Sequence, residues 1–133
     1  MPTHDGGEVS RLFGALSERD RRVVVYYLRE HGSASLETLA DVVGGWVEAG
    51  PGSNEAVAHT DVRAGLHHVH LPTLEAAGVV EYDPVDGLAA FAGLSPWGER
   101  VLDDALSADT SETGVDIERL LAGADDAGAD DGG

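Results

Sequence analysis

The sequence predicts a mainly helical fold with one small β-hairpin. Apolar residues recur at helical spacing over most of the first 78 positions, and two short apolar runs then flank a segment rich in turn formers. The 133 residues are enough for one domain. We divide the chain into a disordered N-terminus (1–8), a folded domain (9–106) and a disordered acidic tail (107–133).

Two helices are predicted at the start of the domain. A short helix over Val9–Leu16 precedes a longer one, for which Ser17 is a suitable N-cap. The longer helix is expected to end near His31, because Gly32 is a typical C-terminal stop. Its predicted buried stripe has i, i+3, i+4 spacing and consists of Val24, Tyr27 and Leu28. The valine-rich run in this helix also fits a strand, but the signals at both ends favour a helix.

The next helix is expected to begin after Ser35 and has the clearest amphipathic pattern in the chain. Its apolar positions are Leu36, Leu39, Ala40 and Val43. A further helix is predicted from Thr60, with a stripe formed by Val62, Leu66 and Val69. A proline inside a helix removes a hydrogen bond, so we expect a kink or a break near Leu71-Pro72.

The end of the domain is predicted to be a hairpin followed by a helix. The runs Val79–Tyr82 and Leu88–Phe91 flank the turn-forming segment Asp83–Gly87. Ser95 and Pro96 fit the N-cap and the first position of the last helix. Three helices followed by a two-stranded hairpin are typical of the winged helix-turn-helix, in which the third helix faces the major groove of DNA. The recognition helix would then span residues 60–71 and the wing residues 79–91.

Several segments resemble a known family. They are Leu16-Ser17, Arg21-Arg22, Tyr27-Leu28-Arg29-Glu30 and the block His70–Asp83. Over Leu12–Phe91 the chain resembles a haloarchaeal winged-helix domain family of unknown function, similar to the arsenic-sensor-like winged helix-turn-helix repressors. The resemblance implies a winged helix and a DNA-binding role. It does not extend to the thiolate metal site of the arsenic sensors, because this chain has no cysteine.

The composition indicates a salt-adapted protein. The chain carries 25 Asp and Glu against 8 basic residues, all arginine, with a net charge of −17. In about 1 M salt the Debye length is about 3 Å, so an acidic surface keeps a protein soluble with little self-repulsion. We therefore expect a halophilic archaeal source. We also expect a cytoplasmic protein without membrane association, because the sequence shows neither a membrane span nor a signal peptide.

The candidate DNA contacts are the outward positions of the recognition helix and two arginines of an earlier helix. They are Thr60, Arg63, Ala64, His67, His68, Arg21 and Arg22. A guanidinium can bind guanine or a phosphate oxygen. For Arg63 the alternative is an ion pair with Asp61 or a contact with His59. For Arg21 and Arg22 it is an ion pair with Glu18 or Asp20.

Other functions have little support in the sequence. His67 and His70 lie one helical turn apart, but no carboxylate or cysteine at a suitable spacing completes a metal site. Enzyme motifs are missing, so we predict no catalytic residue, no cofactor and no small-molecule ligand. Trp97 is open to two interpretations, a contact in a homodimer or packing within the chain.

The sequence therefore leaves two hypotheses, a transcriptional regulator that binds double-stranded DNA and a winged-helix module for protein–protein interaction. The surroundings of Arg63 discriminate between them. Convergence of Arg63, Arg21 and Arg22 beside the wing favours DNA, whereas acids around Arg63 favour the interaction module.

Overall fold

The computed structural model describes residues 3–49 and 59–113, and these form one hydrophobic core of helices with a three-stranded antiparallel sheet. The elements are α1 (Thr3–Ala15), α2 (Arg19–His31), β1 (Ser33–Ser35), α3 (Leu36–Ala49), α4 (His59–Gly65), a π-helical segment (Leu66–His70), α5 (Leu71–Ala76), β2 (Val80–Asp83), β3 (Leu88–Phe91) and α6 (Pro96–Thr113). This order confirms the predicted fold class, a mainly helical chain with the hairpin of a winged helix-turn-helix.

Helix α2 is the centre of the core. The residues Val23 to Leu28 are all buried, so the helix is covered on every side rather than along the predicted stripe alone. Gly32 ends it as predicted, with a φ of 91° and an N–H that donates to the Leu28 carbonyl. The predicted N-cap is wrong. Glu18 occupies that position, and the Ser17 hydroxyl instead donates to the Gly14 carbonyl at the end of α1.

The sheet contains a strand that the sequence did not reveal. Strand β3 lies between β2 and β1, and Ala34 of β1 is paired with Ala89 of β3. Ser-Ala-Ser has little intrinsic preference for a strand, so the pairing arises from tertiary structure. Helix α3 begins after Ser35 as predicted, and the Ser35 hydroxyl caps it by accepting from the Thr38 amide at 3.1 Å.

The predicted break at Leu71-Pro72 is replaced by a π-helical turn. The Leu71 amide donates to the Leu66 carbonyl, five residues back, and α5 follows directly. The extra residue brings both leucines into the core, where each is 0% exposed. Val69 is 51% exposed, so its place in the predicted buried stripe is wrong.

The ends of the folded domain differ from the predicted boundaries. Helix α1 begins at Thr3, within the segment predicted to be disordered, and α6 continues to Thr113, beyond the predicted start of the tail at Ser107. Residues 1–2 and 114–133 lie outside the described part of the chain. Ser95 caps α6 as predicted, since its hydroxyl accepts from the Gly98 amide.

A buried ion pair attaches α6 to α2. Arg22 donates two hydrogen bonds to the Asp109 carboxylate, at 2.8 and 2.9 Å, and the Tyr26 hydroxyl donates a third at 2.6 Å. Burial would raise the pKa of Asp109, but the hydrogen bonds from Arg22 and Tyr26 outweigh burial and lower this pKa. A second attachment on the same helix pair joins Arg29 to Glu99 and Asp103.

We expect Asp109→Asn to lower the free energy of unfolding by about 3 kcal/mol, because it leaves Arg22 with no charged partner in a buried site. Denaturant titration at constant salt measures the change. Asp104→Asn is the matched control, since it removes the same charge from an exposed position on α6. Equal stability of the two variants would contradict a structural role for Asp109.

Candidate nucleic-acid interface

The outward side of α4 and the π-helical segment carries four of the sequence-predicted contacts. Thr60, Arg63, Ala64 and His68 are all exposed. Leu66, on the opposite side, is fully buried and anchors the segment to the core. Helix α4 packs against α3, so the exposed side chains stand on a supported helix.

Arg63 is paired with an acid that the sequence analysis did not consider. Its Nε donates to the Glu37 carboxylate, which projects from the first turn of α3. Both side chains are largely in solvent, with 49% and 61% of their surfaces exposed. An exposed pair of this kind contributes only about 0.2–1 kcal/mol, so another ligand can replace Glu37 at modest cost.

His67 connects the helix to the hairpin rather than pointing freely outwards. Its Nδ1 lies 2.6 Å from the Tyr82 hydroxyl on β2, and the two rings meet edge to face. Burial raises the pKa of Tyr82, although the nearby Arg63 opposes the shift. The phenol therefore stays protonated and available as a donor, and the hydrogen bond fixes the helix relative to the wing.

Arg21 is not available for phosphate contact. The residue is only 9% exposed and its guanidinium donates to the carbonyls of Ala15 and Gly14 at the end of α1. A third hydrogen bond, of 3.2 Å, joins Arg21 to Nδ1 of His70 in the π-helical segment. Neither predicted acid is its hydrogen-bond partner, and the side chain holds α1, α2 and the π-helical segment together.

Arg22 is likewise occupied, by Asp109 and by the Leu16 carbonyl. Hence Arg21 and Arg22 do not join Arg63 on one surface, and the prediction that they contact phosphates is not supported by their placement. The sequence pattern could not distinguish a phosphate contact from a bond within the fold, because an arginine in the first turn of a helix can form either. The roles of Tyr82 and Glu37 were not predicted, because their partners His67 and Arg63 are distant in sequence.

The wing adds acids and apolar groups to this side of the molecule. Val85, at the hairpin tip, is 90% exposed, and Leu88 is half exposed. The Asp83 carboxylate accepts from the amides of Val85 and Asp86 and so orders the turn. No lysine or arginine lies between residues 79 and 91. Glu37 is paired with Arg63 and Asp61 is exposed on the same helix, so this part of the surface carries more acids than arginines, which is the outcome that favours the interaction module.

Other kinds of site receive no support from the described part of the chain. Within residues 3–49 and 59–113 no three metal-ligating side chains come together. None of the helices described there combines the length and apolarity needed to cross a membrane.

Comparison with known proteins gave one match. A family model described as "Domain of unknown function (DUF7344)" matches residues 13–90, which is more than half of the chain. Neither the curated proteins nor the solved structures gave a match. The matched segment starts near the end of α1 and extends to β3, so it includes the recognition helix and most of the wing.

The contact between Arg21 and His70 predicts a dependence of stability on pH. Burial lowers the pKa of His70 from 6.5, and Arg21 lowers it further, whereas Asp20 and Glu18 oppose the shift. The unfolded chain therefore binds a proton more readily than the folded chain. This stability is fully present above pH 6.5 and is lost as the pH falls through the folded pKa.

We expect His70→Gln to flatten the stability profile between about pH 7 and pH 5, because glutamine still accepts from Arg21 but does not titrate. Denaturant titrations across this range test the expectation. His68→Gln is the control, because its ring is exposed and makes no contact with Arg21. If the wild type and His70→Gln lose stability equally, the assignment to His70 is wrong. Asp109 acts in a separate window, below its usual pKa of 3.8.

Proposed function

The chain belongs to this DUF7344 family of domains of unknown function, and we propose that it is a DNA-binding transcriptional regulator that works at high ionic strength. The recognition helix of residues 60–71 would enter the major groove, and the wing of residues 79–91 would lie against the adjacent backbone. We further propose a cytoplasmic protein of a halophilic archaeon.

The observation that carries the proposal is the hydrogen bond between His67 and Tyr82. It couples the recognition helix to the wing, while Thr60, Arg63 and His68 remain exposed beside it. A protein that reads a groove with a helix and a wing needs the two at a constant separation, since the spacing of the grooves is set by the DNA. The half-buried hydrogen bond between His67 and Tyr82 would supply that constraint.

The acidity of the surface limits the conditions under which DNA can bind. In dilute buffer Glu37, Asp61 and the acids of the wing would repel phosphates. In about 1 M salt this repulsion is screened beyond about 3 Å, but the affinity gained from counterion release is also lost. Binding would then depend on short hydrogen bonds, for which Arg63 is the exposed guanidinium on this helix.

We expect Arg63→Ala to weaken binding to the cognate duplex about tenfold in about 1 M salt, since one bidentate base contact contributes about 1–3 kcal/mol. The cognate duplex is first selected from a random library at that salt concentration, and fluorescence anisotropy then gives the affinities. Arg100→Ala is the control, because Arg100 is an exposed arginine on α6. Equal affinities of the two variants would remove Arg63 from the interface.

We expect Glu37→Gln to bind the same duplex about two- to fivefold more tightly, because Arg63 no longer has to give up its ion pair with Glu37 before it contacts DNA. The matched control is Asp104→Asn, which removes one negative charge from a remote exposed position. A similar gain in both variants would mean that only net charge matters.

A second function, a winged-helix module that binds another protein, is favoured by one specific observation. Arg63 is paired with Glu37, whereas the guanidinium groups of Arg21 and Arg22 are bonded elsewhere within the fold. Recovery of crosslinked DNA from cells at native salt separates the two functions. Enriched loci support the regulator, whereas a folded protein without any enriched locus would leave the interaction module as the better explanation. A palindromic site among the enriched loci would support a homodimer.

A further inference from the structure

An apolar groove runs beside the recognition helix, on the side formed by α1 and α5. Its volume is about 500 Å³. The apolar lining residues are Gly14, Ala15, Val69, Pro72, Ala76 and Ala77. The side chains that α5 contributes to the lining are short, and the half-exposed Val69 adds apolar surface to the groove. The π-helical turn places this valine outside the core.

Two basic side chains also line the groove, Arg11 of α1 and His68 of the π-helical segment. Arg11 is exposed and forms no ion pair with any side chain that the structure describes. A groove with an apolar wall and an unpaired guanidinium fits a segment that alternates apolar and acidic residues.

The chain itself contains such a segment, outside the described residues. Val115-Asp116-Ile117-Glu118-Arg119-Leu120-Leu121 has three apolar residues at helical spacing, Ile117, Leu120 and Leu121. Two acids are interleaved with its first apolar residues, and Asp125, Asp126, Asp130 and Asp131 follow. Its apolar residues therefore suit the apolar wall of the groove, and its acids suit the two basic side chains that line the groove.

The segment is within reach of the groove. Asp109 of α6 is bound to Arg22, whose guanidinium also donates to the Leu16 carbonyl. The adjacent Ala15 lines the groove, so α6 is attached, through Arg22, to the end of the same helix α1 that forms one wall of the groove. From Thr113 an extended chain covers at most about 14 Å to Ile117 and about 28 Å to Leu121.

We propose that residues 115–121 dock in this groove against Val69. The short connection from α6 gives the segment a high effective concentration there, which favours docking within one chain over association of two chains. Docking would place Asp116 and Glu118 near His68 and the outward side of the recognition helix. If the proposed DNA-binding function holds, the docked segment competes with phosphates and restrains binding.

The absence of native cysteine makes the docking directly measurable. Full-length Val69→Cys/Leu121→Cys is oxidised at low protein concentration, and the rate of intramolecular disulfide formation is followed by mass spectrometry and gel mobility. Val85→Cys/Leu121→Cys is the matched control, since Val85 is an exposed valine at the hairpin tip. We expect the first pair to close at least about tenfold faster, because a docked segment raises the local thiol concentration.

Two outcomes would overturn the proposal: equal rates for the two pairs, or disulfides formed only between chains. The second outcome would make another copy of the chain the occupant of the groove. Adding Arg11→Glu to the Val69→Cys/Leu121→Cys protein should slow closure, and an unchanged rate would remove charge from the explanation. None of these measurements involves DNA, so docking can succeed or fail independently of the proposed regulator function.

Discussion

Two neighbouring arginines at the start of α2 hold the ends of three other segments. Arg21 donates to the last carbonyls of α1 and to His70, whereas Arg22 binds Asp109 of α6. The terminal carbonyls of a helix lack partners within the helix, and a guanidinium with five donors can satisfy several of them together. The orientation of the predicted recognition helix therefore depends on the hydrogen bond between its His70 and Arg21 of α2. In both arginines the guanidinium is therefore engaged by groups of the protein itself.

The local elements of this fold were predictable from the sequence to a large extent. Gly32, Ser35 and Ser95 mark helix ends through interactions with close neighbours in sequence, and such signals can be read from residue types alone. Strand β1 could not be found in this way, because its backbone pairs with β3, more than fifty residues later. The exposure of Val69 was hidden for another reason. A stripe of apolar residues assumes a constant helical period, and the π-helical turn changes it.

The candidate site was less predictable than the fold. The outward positions Thr60, Ala64 and His68 follow from helical geometry once Leu66 is assigned to the core. The partners of the charged and aromatic groups do not follow, because Glu37 and Tyr82 come from other elements. Charge counted along the sequence was also misleading. Asp109 appeared to be part of a solvated tail, yet it is only 5% exposed and binds the half-buried Arg22.

The π-helical turn can be regarded as a single inserted residue within an otherwise α-helical rod. One residue corresponds to a rotation of about 100° around the helix axis, so the insertion sets the outward side chains of α4 at a different angle from those of α5. Leu66 and Leu71 lie on either side of this insertion, and both are fully buried. Deleting one residue between them would rotate one leucine by about 100° relative to the other and would take it out of the core, so the surface that α4 presents is tied to the packing beneath it.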